Sequence, residues 1–264
     1  MARVRLCRIR NKSKSAVVKF LDLITIAFLK QRLFKSNIQC LRKGSAYGGW
    51  YVPSIVNSSM SGKVLISAGL GKDITFDMEM MELGFKVVGV DPIKESIAYV
   101  NNITSDNANY TLIEACLSKD NLGLFMYAPK NEEHISWSVI SGKDLSGKLY
   151  PSITLDDIEE NGKVSQAQLK ILKMDIEGAE LDVLDQISKC VPVYGVCLAE
   201  LDYISKQPYK KFLKRLIAII RTKKVLKSLH RRGYFIVASE GYNFSWLHVS
   251  EIENQLNFER RGRK

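Results

Sequence analysis

The stretch that decides the fold runs from Lys63 to Asp77 and reads KVLISAGLGKDITFD. Its first part is a short apolar run, which is typical of a buried parallel strand. The run breaks at Gly69 and Gly71, and apolar side chains then recur on one helix face, at Ile74, Met78, Met81 and Phe85. A strand, a glycine turn and a helix in this order predict the opening of a nucleotide-binding βαβ unit, because a ligand must approach the backbone closely at a tight turn.

An acid follows at the end of the next apolar strand, where Asp91 lies 20 residues beyond Gly71. A carboxylate at this place accepts hydrogen bonds from both ribose hydroxyls of an adenosine ligand. The dinucleotide fingerprint needs a third glycine three residues after the second, and Ile74 stands there instead. The pattern therefore favours an adenosine ligand without a pyrophosphate, with S-adenosylmethionine as the first choice. A purely structural βα turn is the simpler alternative.

Three motifs together resemble the FkbM family of S-adenosylmethionine-dependent methyltransferases. They are SAGLGKDITFD at 67–77, VVGVDP at 87–92 and LKMDIEGAE at 172–180, of which the last is the most specific. Two further stretches, YGGWYVP at 47–53 and ITLDDI at 153–158, also resemble that family. The resemblance implies a class I methyltransferase fold, a mostly parallel seven-stranded sheet with helices on both faces. One departure is Ser67, where class I methyltransferases usually carry an acid.

The resemblance also implies where the cofactor and the acceptor lie. In this architecture adenine rests at the end of the third strand, which we place at about 110–117. We expect the residues that bind S-adenosylmethionine to be Gly69, Gly71, Asp73, Asp91, Glu114 and Ala115. The acceptor implied by the family is a hydroxyl of a glycan, a lipid-linked sugar or another small metabolite.

Acids at the ends of two later strands are candidates for the base that removes the proton of such a hydroxyl. Asp175 is the first choice, followed by Glu177, Glu200 and His134. His134 belongs to an insertion at 121–140 that is our candidate acceptor lid, in which Trp137 is placed to stack on a sugar or apolar face. Helix capping is the simpler explanation for the acids. The sequence contains no complete set of metal ligands.

Length and composition are those of one α/β domain with a small appendage, since the chain has 264 residues. The five cysteines show no metal-ligand spacing, and their odd number is typical of reduced thiols in a cytosolic protein. We therefore expect a cytoplasmic location. The three histidines are far apart and give no zinc motif.

The positive charge is concentrated at the N-terminus. Residues 1–43 contain twelve Lys and Arg residues against the single acid Asp22, which equals the whole net charge of +11. We divide the chain into a basic arm at 1–45, with a helix at 16–34, and a methyltransferase domain at 46–264. The helix either packs on the domain or a second subunit, or lies on an anionic membrane. Nucleic acid is not expected, because the basic run lacks interleaved aromatic residues.

A second basic segment, 206–232, contains no acid, and its apolar residues recur at helical spacing. It predicts a long helix that ends at Gly233 and has either a plain charged outer face or a contact with phosphate groups. Two closing strands follow and resemble the antiparallel hairpin of class I methyltransferase sheets. Two other functions remain open at this point, a nucleotide-dependent oxidoreductase and a non-catalytic module that tethers a complex to a membrane.

Overall fold

A computed structural model describes residues 16–128, 137–139, 147–162, 164–189, 193–206 and 211–261. The helices are α1 (Ala16–Lys30), α2 (Thr75–Glu82), α3 (Lys94–Thr104), α4 (Leu155–Gly162), α5 (Glu180–Ile187), α6 (Asp202–Ser205), α7 (Phe212–Arg231) and α8 (Val249–Arg261). The first strands are β1 (Cys40–Lys43), β2 (Trp50–Pro53), β3 (Lys63–Ala68), β4 (Phe85–Val90), β5 (Tyr110–Ile113), β6 (Cys116–Leu117) and β7 (Leu124–Tyr127). The remaining strands are β8 (Gly147–Tyr150), β9 (Ser152–Ile153), β10 (Leu169–Met174), β11 (Val196–Glu200), β12 (Tyr234–Glu240) and β13 (Asn243–His248).

A seven-stranded sheet forms the centre, in the order β12-β13-β11-β10-β3-β4-β5. Strands β11, β10, β3, β4 and β5 run parallel, and β13 is antiparallel to both of its neighbours. This confirms the predicted class I methyltransferase fold with its closing hairpin. The order of the chain reverses between β3 and β10, and ligands of open α/β sheets bind at such a switch point, outside the carboxyl ends of the strands.

Both faces of this sheet are buried under helices. Along β3, Val64 and Ile66 belong to one apolar cluster and Leu65 belongs to the other, as expected for alternating side chains of a strand. The first cluster includes residues of α1, α4, α5 and α7, and the second includes residues of α2, α3 and the β1–β2 hairpin. The centre of β3 and β10 therefore reads as a continuous apolar run.

The N-terminal segment packs against the far edge of the sheet. Asp22 of α1 accepts hydrogen bonds from Arg215 of α7 at 2.9 Å and from Tyr242 at 2.7 Å, and all three side chains are buried. Helix α1 is shorter than the predicted helix at 16–34, because Arg32 adopts a left-handed backbone conformation with φ of 63°. Among the described residues, no helix combines the length and apolar character needed to cross a bilayer.

Strands β1 and β2 form an antiparallel hairpin. The domain boundary expected between residues 45 and 46 falls in the turn of this hairpin. The segment after α1 also reaches the sheet, where the Lys35 N–H donates to the Ile236 carbonyl at 2.8 Å.

Removal of the Asp22 carboxylate should destabilise the protein strongly. In Asp22→Ala the buried Arg215 loses its anionic partner, and breaking one side of a buried ion pair costs about 3–5 kcal/mol in the free energy of unfolding. Urea denaturation followed by circular dichroism measures this loss. The matched control is Asp185→Ala, which breaks an exposed pair with Lys189 and should cost less than about 1 kcal/mol. Equal losses in the two variants would contradict the structural role of Asp22.

Candidate active site

The two glycines of the turn after β3 are needed for different reasons. Gly69 has φ of 77°, and a Cβ atom there would lie 1.8 Å from the carbonyl oxygen of Asp175. Gly71 has φ of 57°, and a Cβ atom there would meet nothing within 4 Å. The first glycine therefore allows the turns after β3 and β10 to touch. The second supplies a left-handed backbone and leaves the adjacent space open.

Asp91 holds the glycine turn in place. Its carboxylate accepts hydrogen bonds from the backbone N–H groups of Leu70 at 2.8 Å, Gly71 at 3.3 Å and Ile93 at 2.8 Å. Burial raises the pKa of Asp91 above its usual value, although these N–H groups oppose the rise. Four lone-pair sites are available on a carboxylate, so these three bonds leave acceptor capacity for a ligand hydroxyl.

Asp77 of α2 places a carboxylate beside Ser67, the position where class I methyltransferases usually carry an acid. Ser67 donates a hydrogen bond to Asp77 at 2.8 Å, and Tyr110 of β5 donates to the other oxygen of the same carboxylate at 2.8 Å. Burial raises the pKa of Asp77, and the charge of Lys173 opposes that rise. Lys173 is itself buried and donates to the Gly69 carbonyl at 2.5 Å. Sequence reasoning missed Asp77 and Lys173, because their partners lie on other elements.

A cavity of about 720 Å³ opens at the carboxyl ends of the central strands. It is lined by predicted residues from both halves of the sheet, namely Gly69, Gly71, Asp73, Asp91, Trp137, Asp175, Glu177 and Glu200. Its volume lies within the range of ordinary small-molecule sites. His134 lies outside the described residues.

Two of the predicted cofactor residues do not line the cavity. Glu114 is exposed, and neither it nor Ala115 lines the cavity, whereas Cys116 and Leu117 do. The reason is that the expected strand at 110–117 divides. β5 ends at Ile113, and the following two-residue strand β6 pairs with β9 instead of continuing the main sheet.

Asp73 connects the glycine turn to the β1–β2 hairpin. Its carboxylate accepts hydrogen bonds from Ser45 Oγ at 2.6 Å and from the backbone N–H and hydroxyl of Thr75 at 3.1 and 2.6 Å. Burial would raise the pKa of Asp73, but these bonds outweigh it and hold the pKa below its usual value. Asp73 thus fixes the Tyr47–Gly48 segment that forms one wall of the cavity.

The opposite end of the cavity contains a cluster of acids. Asp175 and Glu200 both line the cavity, and the charge of Asp175 acts on the buried carboxyl group of Glu200. Burial, followed by the charges of Asp175 and Asp202, raises the pKa of Glu200 to about 8. Burial also raises the pKa of Asp202 to about 6, a rise that a hydrogen bond from Ser205 opposes. At neutral pH Glu200 therefore retains a proton.

Lys206 supplies a positive charge to the same cluster. Its ammonium pairs with Glu177 and lies 2.8 Å from Asp202. Burial lowers the pKa of Lys206 to about 8, while the charge of Asp175 acts in the opposite sense. Ligand oxygens of Asp175, Glu177 and Asp202 lie within 4.8 Å of one another, a spacing that also suits a cation. Sequence reasoning missed Lys206, although its position four residues after Asp202 on a helical turn was a usable signal.

The turn after Asp175 orients the acids towards the cavity. Glu177 adopts φ of 59° and Gly178 φ of 112°, which folds the chain back before α5. The Gly178 N–H donates to the carboxylate of Glu180, which is fully buried, at 2.9 Å. Ser138 donates to the Glu177 carbonyl at 2.7 Å, so the segment containing Trp137 is attached directly to this turn.

Comparisons with solved structures give low sequence identities and low TM-scores. An S-adenosylmethionine-dependent methyltransferase named SibL in its apo form shares 7% identity over 74% of this chain, with a TM-score of 0.35, and the chain spans only 53% of its length. A TehB-like S-adenosylmethionine-dependent methyltransferase from Corynebacterium glutamicum shares 11% identity over 72% of this chain and 82% of its own, with a TM-score of 0.33. A putative S-adenosylmethionine-dependent methyltransferase from Methanococcus maripaludis shares 12% identity over 87% and 90%, with a TM-score of 0.37.

The strand order of the sheet, and not these superpositions, defines the fold. None of the curated proteins compared with the chain matches it. Residues 66–236 match the family described as the methyltransferase FkbM domain, which is well over half of the chain. This match decides against the nucleotide-dependent oxidoreductase. The chain belongs to the FkbM methyltransferase family, whose cofactor is S-adenosylmethionine.

Proposed function

We propose that the protein methylates a hydroxyl group of a glycan, a lipid-linked sugar or another small metabolite. The observation that carries this proposal is the acid cluster of Asp175 and Glu200 on the wall of the cavity that also contains the glycine turn. Bound S-adenosylmethionine supplies an activated methyl group and a neutral thioether leaving group. A hydroxyl acceptor must in addition lose a proton, and a carboxylate beside the acceptor can take it.

The residues of the cavity fit the cofactor. We assign the ribose hydroxyls to Asp91, which keeps acceptor capacity beside the open space at Gly71. The apolar wall formed by Leu117 and Ile93 suits a planar base. The buried ammonium of Lys173 suits the carboxylate of the methionine part, since the charges are opposite.

We assign the proton-accepting role to Asp175, as the sequence predicted. Glu200 lies beside it with a pKa raised to about 8, so Glu200 is neutral at pH 7. Removal of a hydroxyl proton by a positioned carboxylate is general base catalysis. Lys206 offsets the repulsion that arises when Glu200 ionises.

The proposal also assigns different roles to the N-terminal arm and to the rest of the chain. Every described residue that lines the cavity lies at position 47 or later. We therefore assign methyl transfer to a domain at 46–264 and a supporting role to the arm at 1–45. We keep the expectation that the protein acts in the cytoplasm, with residues 1–43 facing an anionic membrane.

The assignment of Asp91 predicts a specific loss of affinity. Asp91→Ala should weaken binding of S-adenosylhomocysteine by about 10- to 150-fold, because hydrogen bonds to a charged group contribute roughly 1.5–3 kcal/mol. Isothermal calorimetry measures the affinity, at a temperature where the variant is folded. Glu114→Ala is the control and should bind normally, since Glu114 does not line the cavity. Unchanged affinity in folded Asp91→Ala would remove Asp91 from the cofactor site.

The assignment of Asp175 predicts a loss of rate without a loss of cofactor affinity. Asp175→Asn keeps the shape of the side chain and should slow methyl transfer by about 10²–10⁴-fold. Single-turnover transfer from methyl-labelled S-adenosylmethionine, with an acceptor found by screening polysaccharides and lipid-linked sugars, measures the rate. Asp185→Asn, on the exposed side of α5, should leave both quantities unchanged. A normal rate in Asp175→Asn would make Asp175 a structural residue, and a joint loss of rate and affinity would place it in the cofactor site.

The raised pKa of Glu200 predicts a pH dependence. Glu200 is neutral below its pKa of about 8 and anionic above it, and its negative charge beside Asp175 favours uptake of the hydroxyl proton, so the rate should rise with pH and level off above that value. Glu200→Gln is neutral at every pH and should abolish this rise. The single-turnover rate measured across pH tests both statements. A midpoint that is the same in the wild type and Glu200→Gln would show that the pair does not control the proton transfer.

A further inference from the structure

Helix α1 is apolar on both of its sides. Phe20, Leu23 and Ile24 are 62%, 66% and 50% exposed, whereas Leu29 is buried in the core together with the polar residues Asp22 and Thr25. A surface helix of a globular protein turns a polar face to the solvent, and α1 instead turns an apolar face outward. The exposed face of α1 therefore has the composition of a core face.

The first half of α7 also turns an apolar face outward. Phe212, Leu213 and Ile217 are 72%, 67% and 54% exposed, and Leu216 and Ile220 extend the same face along the helix. On the inner side of α7, the buried polar residues are Arg215, Thr222 and Lys223. These inner groups make hydrogen bonds to other elements, such as those from Lys223 to the backbone carbonyls of Phe28, Leu29 and Gln31.

The exposed apolar faces of α1 and α7 lie next to each other. Asp22 in the middle of α1 pairs with Arg215 in the first turn of α7, and the ammonium of Lys223 lies over the ring of Phe28 farther along both helices. The apolar side chains of α1 and α7 thus form one surface, which we call the α1–α7 face. Contiguous exposed apolar surface with a polar rim marks a site for a protein partner or a membrane.

The rim of this face is predominantly basic. Its exposed basic residues are Lys19, Lys211, Lys214, Arg221, Lys224, Lys227 and Arg231. Arg221 pairs with Asp182 of α5. Asp22 is the sole acid of the two helices, and it is buried in its pair with Arg215. The residues that precede α1 add six Lys and Arg residues and no acid.

We propose that the α1–α7 face seats the protein on the surface of an anionic lipid bilayer, independently of which acceptor is methylated. The apolar side chains enter the boundary between headgroups and acyl chains, and the basic rim contacts the phosphate groups. A second copy of the chain fits less well, because a symmetric dimer pairs a patch with itself and would bring two basic rims together. The lipid phosphates supply the opposite charge that such a dimer lacks.

The same face is joined to the methyl-transfer cavity. Arg215 of α7 donates to the Ile204 carbonyl at 3.0 Å, within the helix α6 that begins at the cavity residue Asp202. Arg215 also donates to Tyr242 at 2.7 Å, and the next residue, Asn243, lines the cavity. Docking through the α1–α7 face therefore holds the acid cluster end of the cavity close to the bilayer.

Vesicle binding of the full chain tests the proposal. Wild-type protein should sediment with phosphatidylcholine vesicles that contain about 30% phosphatidylglycerol, and much less with pure phosphatidylcholine vesicles or at high ionic strength. The double variant Leu213→Glu/Ile217→Glu should lose roughly tenfold or more of the partition coefficient, because two exposed apolar anchors become anionic. The double variant Lys214→Glu/Lys224→Glu should lose the preference for anionic lipid.

The matched control is Leu122→Glu, which makes the same change at a side chain that is 85% exposed elsewhere on the surface. It should bind vesicles as the wild type does, and all variants should keep the affinity for S-adenosylhomocysteine, which reports that they are folded. Failure of the wild type to bind anionic vesicles would overturn the proposal. So would normal binding by Leu213→Glu/Ile217→Glu, which would assign the affinity to the basic N-terminal residues alone. A wild-type dimer that this variant converts to monomer, without vesicle binding, would give the face to a second copy.

Discussion

The site depends on the contact between two turns at the switch point of the sheet. The carbonyl of Asp175 occupies the space where a side chain at residue 69 would lie, and the Asp175 N–H donates to the Ala68 carbonyl at 3.0 Å. Only glycine permits this approach, since its missing Cβ and its positive φ are both required. The contact brings the glycine turn after β3 and the acidic turn after β10 to the wall of one cavity. A single close approach thus brings the predicted cofactor residues and the predicted acceptor residues to one cavity.

Charged groups line this contact, and their burial determines what the cavity can do. Isolated carboxylates are costly to bury, so Asp91 and Asp77 are satisfied by donors from neighbouring elements. Glu200 instead faces the charges of Asp175 and Asp202, and burial beside these acids raises its pKa to about 8. The first arrangement yields fixed hydrogen-bond acceptors, and the second yields a group whose protonation changes near neutral pH. Both follow from burial, and they differ in the partner that each carboxyl group meets.

The sequence predicted those features that depend on near neighbours along the chain. The strand, turn and helix around Gly69 and the acid at Asp91 are local patterns, and the mostly parallel seven-stranded sheet with its closing hairpin followed from the family resemblance. That Glu114 and Ala115 lie outside the cavity could not be predicted, because β6 leaves the sheet to pair with β9. Asp77 and Lys173 were missed for a similar reason, since each acts on a residue brought close only by the folded sheet. The hydrophobic periodicity of a strand or a helix shows which of its faces is buried, but it does not show which buried polar groups contact each other.

The buried guanidinium of Arg215 connects the arm to the acid cluster. Burying Arg215 is unfavourable unless its donors are used, and they are used by Asp22, Tyr242 and the Ile204 carbonyl together. These partners belong to the arm, to the closing hairpin and to the helix that carries Asp202. Helix α6 contributes Asp202 and the neighbouring Lys206 to the acid cluster. One buried side chain therefore bonds the arm, the closing hairpin and the helix at the acidic end of the cavity.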